Sequence, residues 1–207
     1  MNKKDLSLGV LIGLLIGLSV LPIVKNLGLP IGFKLQLFLA PLLMILVPLG
    51  LMIANFLSRY SAVFYQIAKF GVVGVLNTMM DWGILNILMF LSGVYAGLAY
   101  SGFKAISFGI AIVNSYLWNK YWTFESGTSR DNEFLKFLII SAIGALINIG
   151  IASSIVNFTA PFSGLSLPIW ANIAAAAATA VSMVWNFTGY KFIVFSVKVG
   201  PASGEKK

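Results

Sequence analysis

The sequence predicts an all-α integral membrane protein with six transmembrane helices, the last four forming a duplicated two-helix unit. Three observations carry this. First, the 207 residues are 59% hydrophobic and only 10% charged, where an ordinary soluble domain has about 25% charged residues. No water-soluble core could hide that much apolar surface. Second, six stretches reach the ~20 mostly apolar residues that a bilayer span needs: roughly residues 6–24, 35–57, 70–91, 97–118, 137–158 and 170–190. Third, the chain repeats itself. KFGVVGVLNTMMDWGI (Lys69–Ile84) returns as KFLIISAIGALINIGI (Lys136–Ile151), an offset of 67 residues that superposes Phe70 on Phe137 and Asp81 on Asn148. The next helix ends SYLWNKYWTF (Ser115–Phe124) in one copy and NFTGYKFIVF (Asn186–Phe195) in the other, an offset of 71 that superposes Lys120 on Lys191. Such a duplication fixes the architecture before any side-chain chemistry is considered.

The elements follow in order. The first span carries Gly9, Gly13 and Gly17, one per helical turn, which makes a smooth face for close helix contact. It lacks a small-x-small cleavage pattern and is expected to be a retained helix. The second span contains Pro41 and Pro48 and is expected to be kinked. Neither resembles the repeat, so residues 1–58 are expected to be an added hairpin, 59–197 a four-helix membrane domain and 198–207 a polar cytoplasmic tail. Arg59 to Lys69, with Tyr60, Phe64 and Tyr65, suits an interfacial connector. The third and fourth spans join through the uncharged loop 92–96, and the fifth and sixth through 159–169 with Pro161, Gly164 and Pro168. Between the copies lies 125–136, which holds Glu125, Asp131 and Glu133. Both copies enter from one side, so their pseudo-twofold axis should run along the membrane normal.

The formal charge of +8 suggests nucleic acid until it is mapped. With alternating helices, Lys3, Lys4, Arg59, Lys69, Lys120, Arg130, Lys136, Lys191, Lys198, Lys206 and Lys207 share one side, and Lys25 and Lys34 the other. The positive-inside rule then places both termini in the cytoplasm of a multi-pass plasma-membrane protein. Cysteine and histidine are both absent, which removes thiolate nucleophiles, imidazole acid–base chemistry and the usual transition-metal ligands. No cofactor and no enzymatic activity are expected, since no second membrane carboxylate accompanies Asp81 and no nucleotide site is visible.

Three polar sets remain. Asp81, in the middle of the third span, and Lys104, within the fourth, are the charged residues of the duplicated helices away from their ends. A carboxylate at that depth costs at least ~2.5–3.5 kcal/mol, so the two are expected to pair. The pair is either structural, with a protonated Asp81 facing a polar neighbour as a variant, or a headgroup or proton-coupling site. The amides Asn77, Asn86, Asn114, Asn148, Asn172 and Asn186 either glue helices together or line a wet pocket. Asn77 and Asp81, four residues apart, share one face. Third, Asn119, Lys120, Tyr121 and Trp122 end one helix as Asn186, Tyr190 and Lys191 end another. Aromatics with a cation suit any interfacial helix end, and equally a lipid-phosphate site, which the double occurrence supports.

These motifs carry a resemblance. Phe70, Gly71, Gly74, Asn77 and Asp81, followed by Asn119, Lys120, Trp122 and Phe124, and again by Asn186, Lys191 and Phe195, resemble the GtrA-like membrane family over about residues 65–197. The chain departs from the family pattern at Ser115 and Tyr190, where asparagine is common. The resemblance implies a four-helix module that translocates polyprenyl-phosphate-linked monosaccharides for cell-surface glycosylation. It also implies an alternative, a membrane anchor or stabilising partner of a glycosyltransferase. A small proton-coupled exporter using Asp81 is a third reading. Lys120, Lys191, Asn119 and Asn186 are then the lipid-phosphate candidates, and Asn77, Asp81, Lys104, Asn114 and Asn148 the intramembrane polar site. The expected partners are polyprenyl phosphate or its sugar conjugate, membrane lipids and, as alternatives, a membrane glycosyltransferase or a second copy of the chain, with no nucleic acid.

Overall fold

The structure, a computed structural model, describes residues 1–26, 33–94, 97–126, 132–162 and 167–196. The polar tail, Arg130 and the side chains of Lys34, Lys104 and Asn172 lie outside the described residues. Among these residues there are six α-helices and no strand. They are α1 (Lys3–Asn26), α2 (Phe33–Leu57), α3 (Ala62–Ser92), α4 (Gly97–Trp118), α5 (Glu133–Phe158) and α6 (Leu167–Gly189). Three segments, Lys3–Lys25, Leu37–Leu57 and Ala62–Ser92, are long and apolar enough to cross a membrane. Helices α4, α5 and α6 run 22, 26 and 23 residues. Phe38, Leu98 and Phe158 stand exposed on the surface, as a lipid-facing exterior allows and a water-facing one does not.

The chain packs as two compact units, Met1–Glu125 and Ser126–Lys207. The first groups the N-terminal hairpin with the first repeat. Helix α1 packs on both α2 and α3, and α3 packs on α4. The glycine face of α1 works as the spacing requires. A Cβ on Gly13 would run into the Leu43 carbonyl of α2, one on Gly17 into Ala40, and one on Gly9 would come within 2.9 Å of Leu51 Cδ1. Gly83 of α3 meets Ser19 of α1 in the same way: a Cβ there would come within 2.7 Å of the Ser19 carbonyl oxygen. Small residues therefore let three backbones approach closely where hydrophobic driving force between helices is weak. Both prolines of α2 are accommodated inside one continuous helix. The core that results joins Ile12 and Ile16 of α1, Leu51 of α2, Val73 and Leu76 of α3, and Trp122. Helix α3 is bounded by local chemistry: the Ser61 hydroxyl caps its start, and Gly93, at φ 68°, closes its end.

The second unit is the antiparallel pair α5 and α6. Gly189 of α6 lies against Ile140 of α5, where a Cβ would come within 2.5 Å of Ile140 Cγ2. Gly144 of α5 makes room for the Asn186 side chain. Phe137 stacks on Tyr190 with centroids 4.5 Å apart.

The duplication is visible in the geometry. Phe70 and Phe124 place their rings 6.3 Å apart in the first repeat, and their counterparts Phe137 and Phe195 do so at 6.3 Å in the second. Both copies also finish in a five-residue π turn, Asn119–Thr123 and Tyr190–Val194. Each is closed by an i to i−5 bond: Phe124 N–H to Asn119 O at 2.9 Å, and Phe195 N–H to Tyr190 O at 2.8 Å. The sequence offset of 71 maps one turn onto the other residue for residue. A stretch of π-helix is rare, although i to i−5 bonds also close many helix C-termini, which is where both of these lie.

Candidate functional site

The repeat ends are built around those π turns. In the first unit Lys120 is buried, at 2% exposure. Its Nζ donates to the Tyr116 hydroxyl at 3.2 Å and lies 5.4 Å from the Tyr116 ring and 5.6 Å from the Tyr121 ring. In the second unit Lys191 sits 5.5 Å from the Phe187 ring and 5.7 Å from the Phe192 ring. The same one-turn-before and one-residue-after aromatics thus flank both cations. The two differ in access, because Lys191 is partly exposed and has no carboxylate partner among the described residues. Asn119 is buried and donates to the Ser115 carbonyl at 2.8 Å. Its Oδ1, Thr123 Oγ1 and Asn186 Oδ1 are buried acceptors with no partner among the described residues. Such groups are uncommon in a native interior. At the position of Asn119 the second repeat has Tyr190, whose hydroxyl shares a 2.7 Å hydrogen bond with Ser141.

A cluster that the sequence reading did not single out lies beside the first π turn. Asp5, at the start of α1 and 3% exposed, receives three donors. Lys69 Nζ approaches its Oδ1 at 3.0 Å, Trp122 Nε1 donates to Oδ1 at 2.8 Å, and the Tyr65 hydroxyl donates to Oδ2 at 2.9 Å. Asn2 Oδ1 in turn accepts from the Asp5 amide at 2.7 Å. Lys69, itself 4% exposed, also reaches Glu125 at 3.1 Å and the Trp122 carbonyl at 3.4 Å. Gln66 donates to the Thr123 carbonyl at 3.3 Å. A cation and an amide from α3 therefore satisfy carbonyls freed at the end of α4, where the helix dipole favours positive charge. The sequence did hold a signal: Asp5 is the only acid before Asp81 and, with alternating helices, falls at the level of Lys69.

The intramembrane set forms a seam between α3 and α4. Trp118 Nε1 donates to Asn114 Oδ1 at 3.1 Å, and Asn114 Nδ2 donates to Asn77 Oδ1 at 2.6 Å. One turn deeper, the fully buried Ser107 hydroxyl donates to Asp81 Oδ1 at 2.7 Å. From Trp118 to Ser107 the seam covers about 16 Å along α4. The expected Asp81–Lys104 pair involves a side chain outside the described residues. Asn86 turns back on its own helix, donating to the Trp82 carbonyl at 2.8 Å. The second repeat is different. Gly144 and Trp185 stand at the positions of Asn77 and Asn114, and Trp185 Nε1 donates to the Ile140 carbonyl at 3.1 Å. Asn148, at the position of Asp81, donates to Thr179 and Ser182 hydroxyls at 3.2 and 3.3 Å. An acceptor in one copy is a donor in the other.

Comparison with known proteins places the duplicated region in a family. The family described as GtrA/DPMS, transmembrane domain, matches residues 69–195, from the buried Lys69 to the end of the second π turn. An uncharacterized membrane protein, YngA of Bacillus subtilis (strain 168), is 30% identical over 130 residues, covering 62% of this chain and 78% of that protein. No solved structure matches. The family match covers more than half of the chain and leads to one conclusion: this membrane protein belongs to the GtrA/DPMS transmembrane-domain family, which is tied to polyprenyl-phosphate sugar processes.

Proposed function

We propose that the protein takes part in translocating polyprenyl-phosphate-linked monosaccharides across the plasma membrane for glycosylation of cell-surface polysaccharide, with no covalent chemistry of its own. The observation that carries this reading is the cation between two aromatic rings at the same place in both repeats. A prenyl phosphate needs a positive charge for its head and flat apolar surface beside it for the first isoprene units. In this reading both termini are cytoplasmic. Lys191 is the accessible phosphate contact. Lys120, buried among Tyr116 and Asn119, shapes the matching turn. The seam of Asn77, Asp81, Ser107 and Asn114 offers the sugar hydroxyls a polar path through an apolar bundle.

The test is translocation of a fluorescent undecaprenyl-phosphate sugar by the purified protein in liposomes. Transport above protein-free vesicles, reduced by Lys191→Gln, is expected. No transport by a correctly folded protein overturns the reading. It favours instead a membrane anchor or stabilising partner of a glycosyltransferase. One observation speaks for that second reading: the seam residues bond to one another, as groups that hold helices together do. Co-purification of a membrane glycosyltransferase with the tagged protein tests it.

A further inference from the structure

Between the ends of α1 and α3 and the start of α2 lies a groove of about 430 Å³, within the ~300–1,000 Å³ range of pockets that hold small ligands. Its walls are apolar, including Leu18 and Pro22 of α1, Leu37 of α2 and Ile87 of α3. At its mouth Lys25 lies 4.2 Å from the centre of the Phe90 ring. The floor at Leu18 is seven residues below Lys25, about 10 Å along the helix.

Two facts identify what fits there. The first is charge. Lys25 has no carboxylate partner among the described residues, and the sequence offers none nearby. No acid occurs between Asp5 and Asp81, and the stretch from Lys25 to Leu37 adds only another cation, Lys34. Asp81 lies nine residues before Phe90, about 13 Å deeper along α3. Among the described residues no carboxylate reaches Lys25, so the groove's own walls leave that charge open to an anion from outside. The second is level. Lys25 is twenty residues along α1 from Asp5, about 30 Å, which equals the thickness of the hydrocarbon layer. In the six-span reading Asp5 and Lys69 lie at one headgroup plane, and this separation then puts Lys25 at the other. A groove that is apolar below a headgroup plane, with an unneutralised cation at that plane, has the polarity of a lipid with an anionic head.

We propose that this groove seats a polyprenyl phosphate in the leaflet opposite the Asn119–Thr123 π turn, with the phosphate on Lys25 and the first isoprene units between Leu18, Leu37 and Ile87. The choice of lipid rests on the translocation reading, which needs a docking place at each face. The site itself rests on the groove and its charge. The hairpin, which lies outside the matched family region, thereby supplies a second phosphate site.

The experiment is native mass spectrometry of the full chain in detergent, titrated in separate arms with undecaprenyl phosphate, phosphatidylglycerol and inorganic phosphate. A photoreactive prenyl phosphate then maps the contact. Labelling within residues 18–25 and 87–91 is expected. Retention of undecaprenyl phosphate at that place should fall about fivefold in Lys25→Gln. It should be lost in Leu18→Trp, which fills the groove but keeps the cation, while Lys191→Gln leaves this label unchanged. Unaltered labelling in both groove variants overturns the proposal. So does phosphatidylglycerol held as tightly as the prenyl lipid, or full competition by inorganic phosphate, which would reduce the site to a bare anion contact. Failure of transport with this labelling intact would sink the translocation reading and leave the groove standing.

Discussion

The Asp5–Lys69 pair should behave as a buried latch between the hairpin and the first repeat, and its strength can be worked from its contacts. Replacing Asp5 with Asn keeps the shape but removes the charge 3.0 Å from Lys69 Nζ and turns one of the two acceptor oxygens into an NH2 donor. Breaking a buried pair by removing one partner costs about 3–5 kcal/mol. Lys69 keeps Glu125 at 3.1 Å, but that carboxylate's side chain is 61% exposed, and an exposed pair is worth about 0–1 kcal/mol. Glu125 therefore offsets little, and Asp5→Asn should cost about 3 kcal/mol. Lys69→Met strands a carboxylate that keeps only Trp122 and Tyr65 as donors, and should cost about as much. The double variant removes both charges and should recover much of the loss, giving a coupling energy of about 2–3 kcal/mol. Equilibrium unfolding in mixed detergent, followed by tryptophan fluorescence, measures all three. Strict additivity would refute the latch, as would Glu125→Gln costing as much as Asp5→Asn.

Further outcomes follow from the packing. Gly13→Leu should abolish the stable hairpin, because its Cβ would occupy the position of the Leu43 carbonyl. Gly74→Leu should be tolerated, since nothing lies within 4 Å of a Cβ there. A thermal melt of the two detergent-solubilised variants checks both. Ser107→Ala removes a buried donor to Asp81 and should destabilise by about 1–3 kcal/mol, whereas Ser92→Ala, an exposed hydroxyl on its own helix, should stay within about 0.5 kcal/mol. Single cysteines placed in a chain that has none should react with an impermeant external reagent in loops 92–96 and 159–169 and not in 125–136. The reverse pattern would invert the topology.

The helical class and the repeat were legible because period and composition act along the chain: the offsets 67 and 71 map Phe70–Phe124 onto Phe137–Phe195 in space as in sequence. The glycine face of α1 was legible for the same reason. The polar face of α3 was half legible. The spacing of Asn77 and Asp81 placed both on one side, but their partners, Asn114 and Ser107, depend on the register of α4. The Asp5 cluster was missed because it joins residues 64 and 117 positions apart, and an acid beside Lys3 and Lys4 reads locally as a solvated terminus. The π turns were invisible, since no residue type codes for one extra residue in a turn. Nor did spacing reveal that Lys120 and Lys191, equivalent in sequence, differ in exposure.

The paired π turns also date themselves. A single-residue insertion into a helix is an accident of one moment, and two such accidents at equivalent positions are far less probable than one that was copied. The two turns therefore read most simply as one turn doubled with its helix pair. The residues around it differ: Asn119 corresponds to Tyr190 and Trp122 to Ile193, and among the described residues an acidic anchor is seen at the first copy alone. A wrinkle in the backbone has outlived the side chains that first accompanied it. What the two halves still share at their ends is the course of the backbone rather than its chemistry.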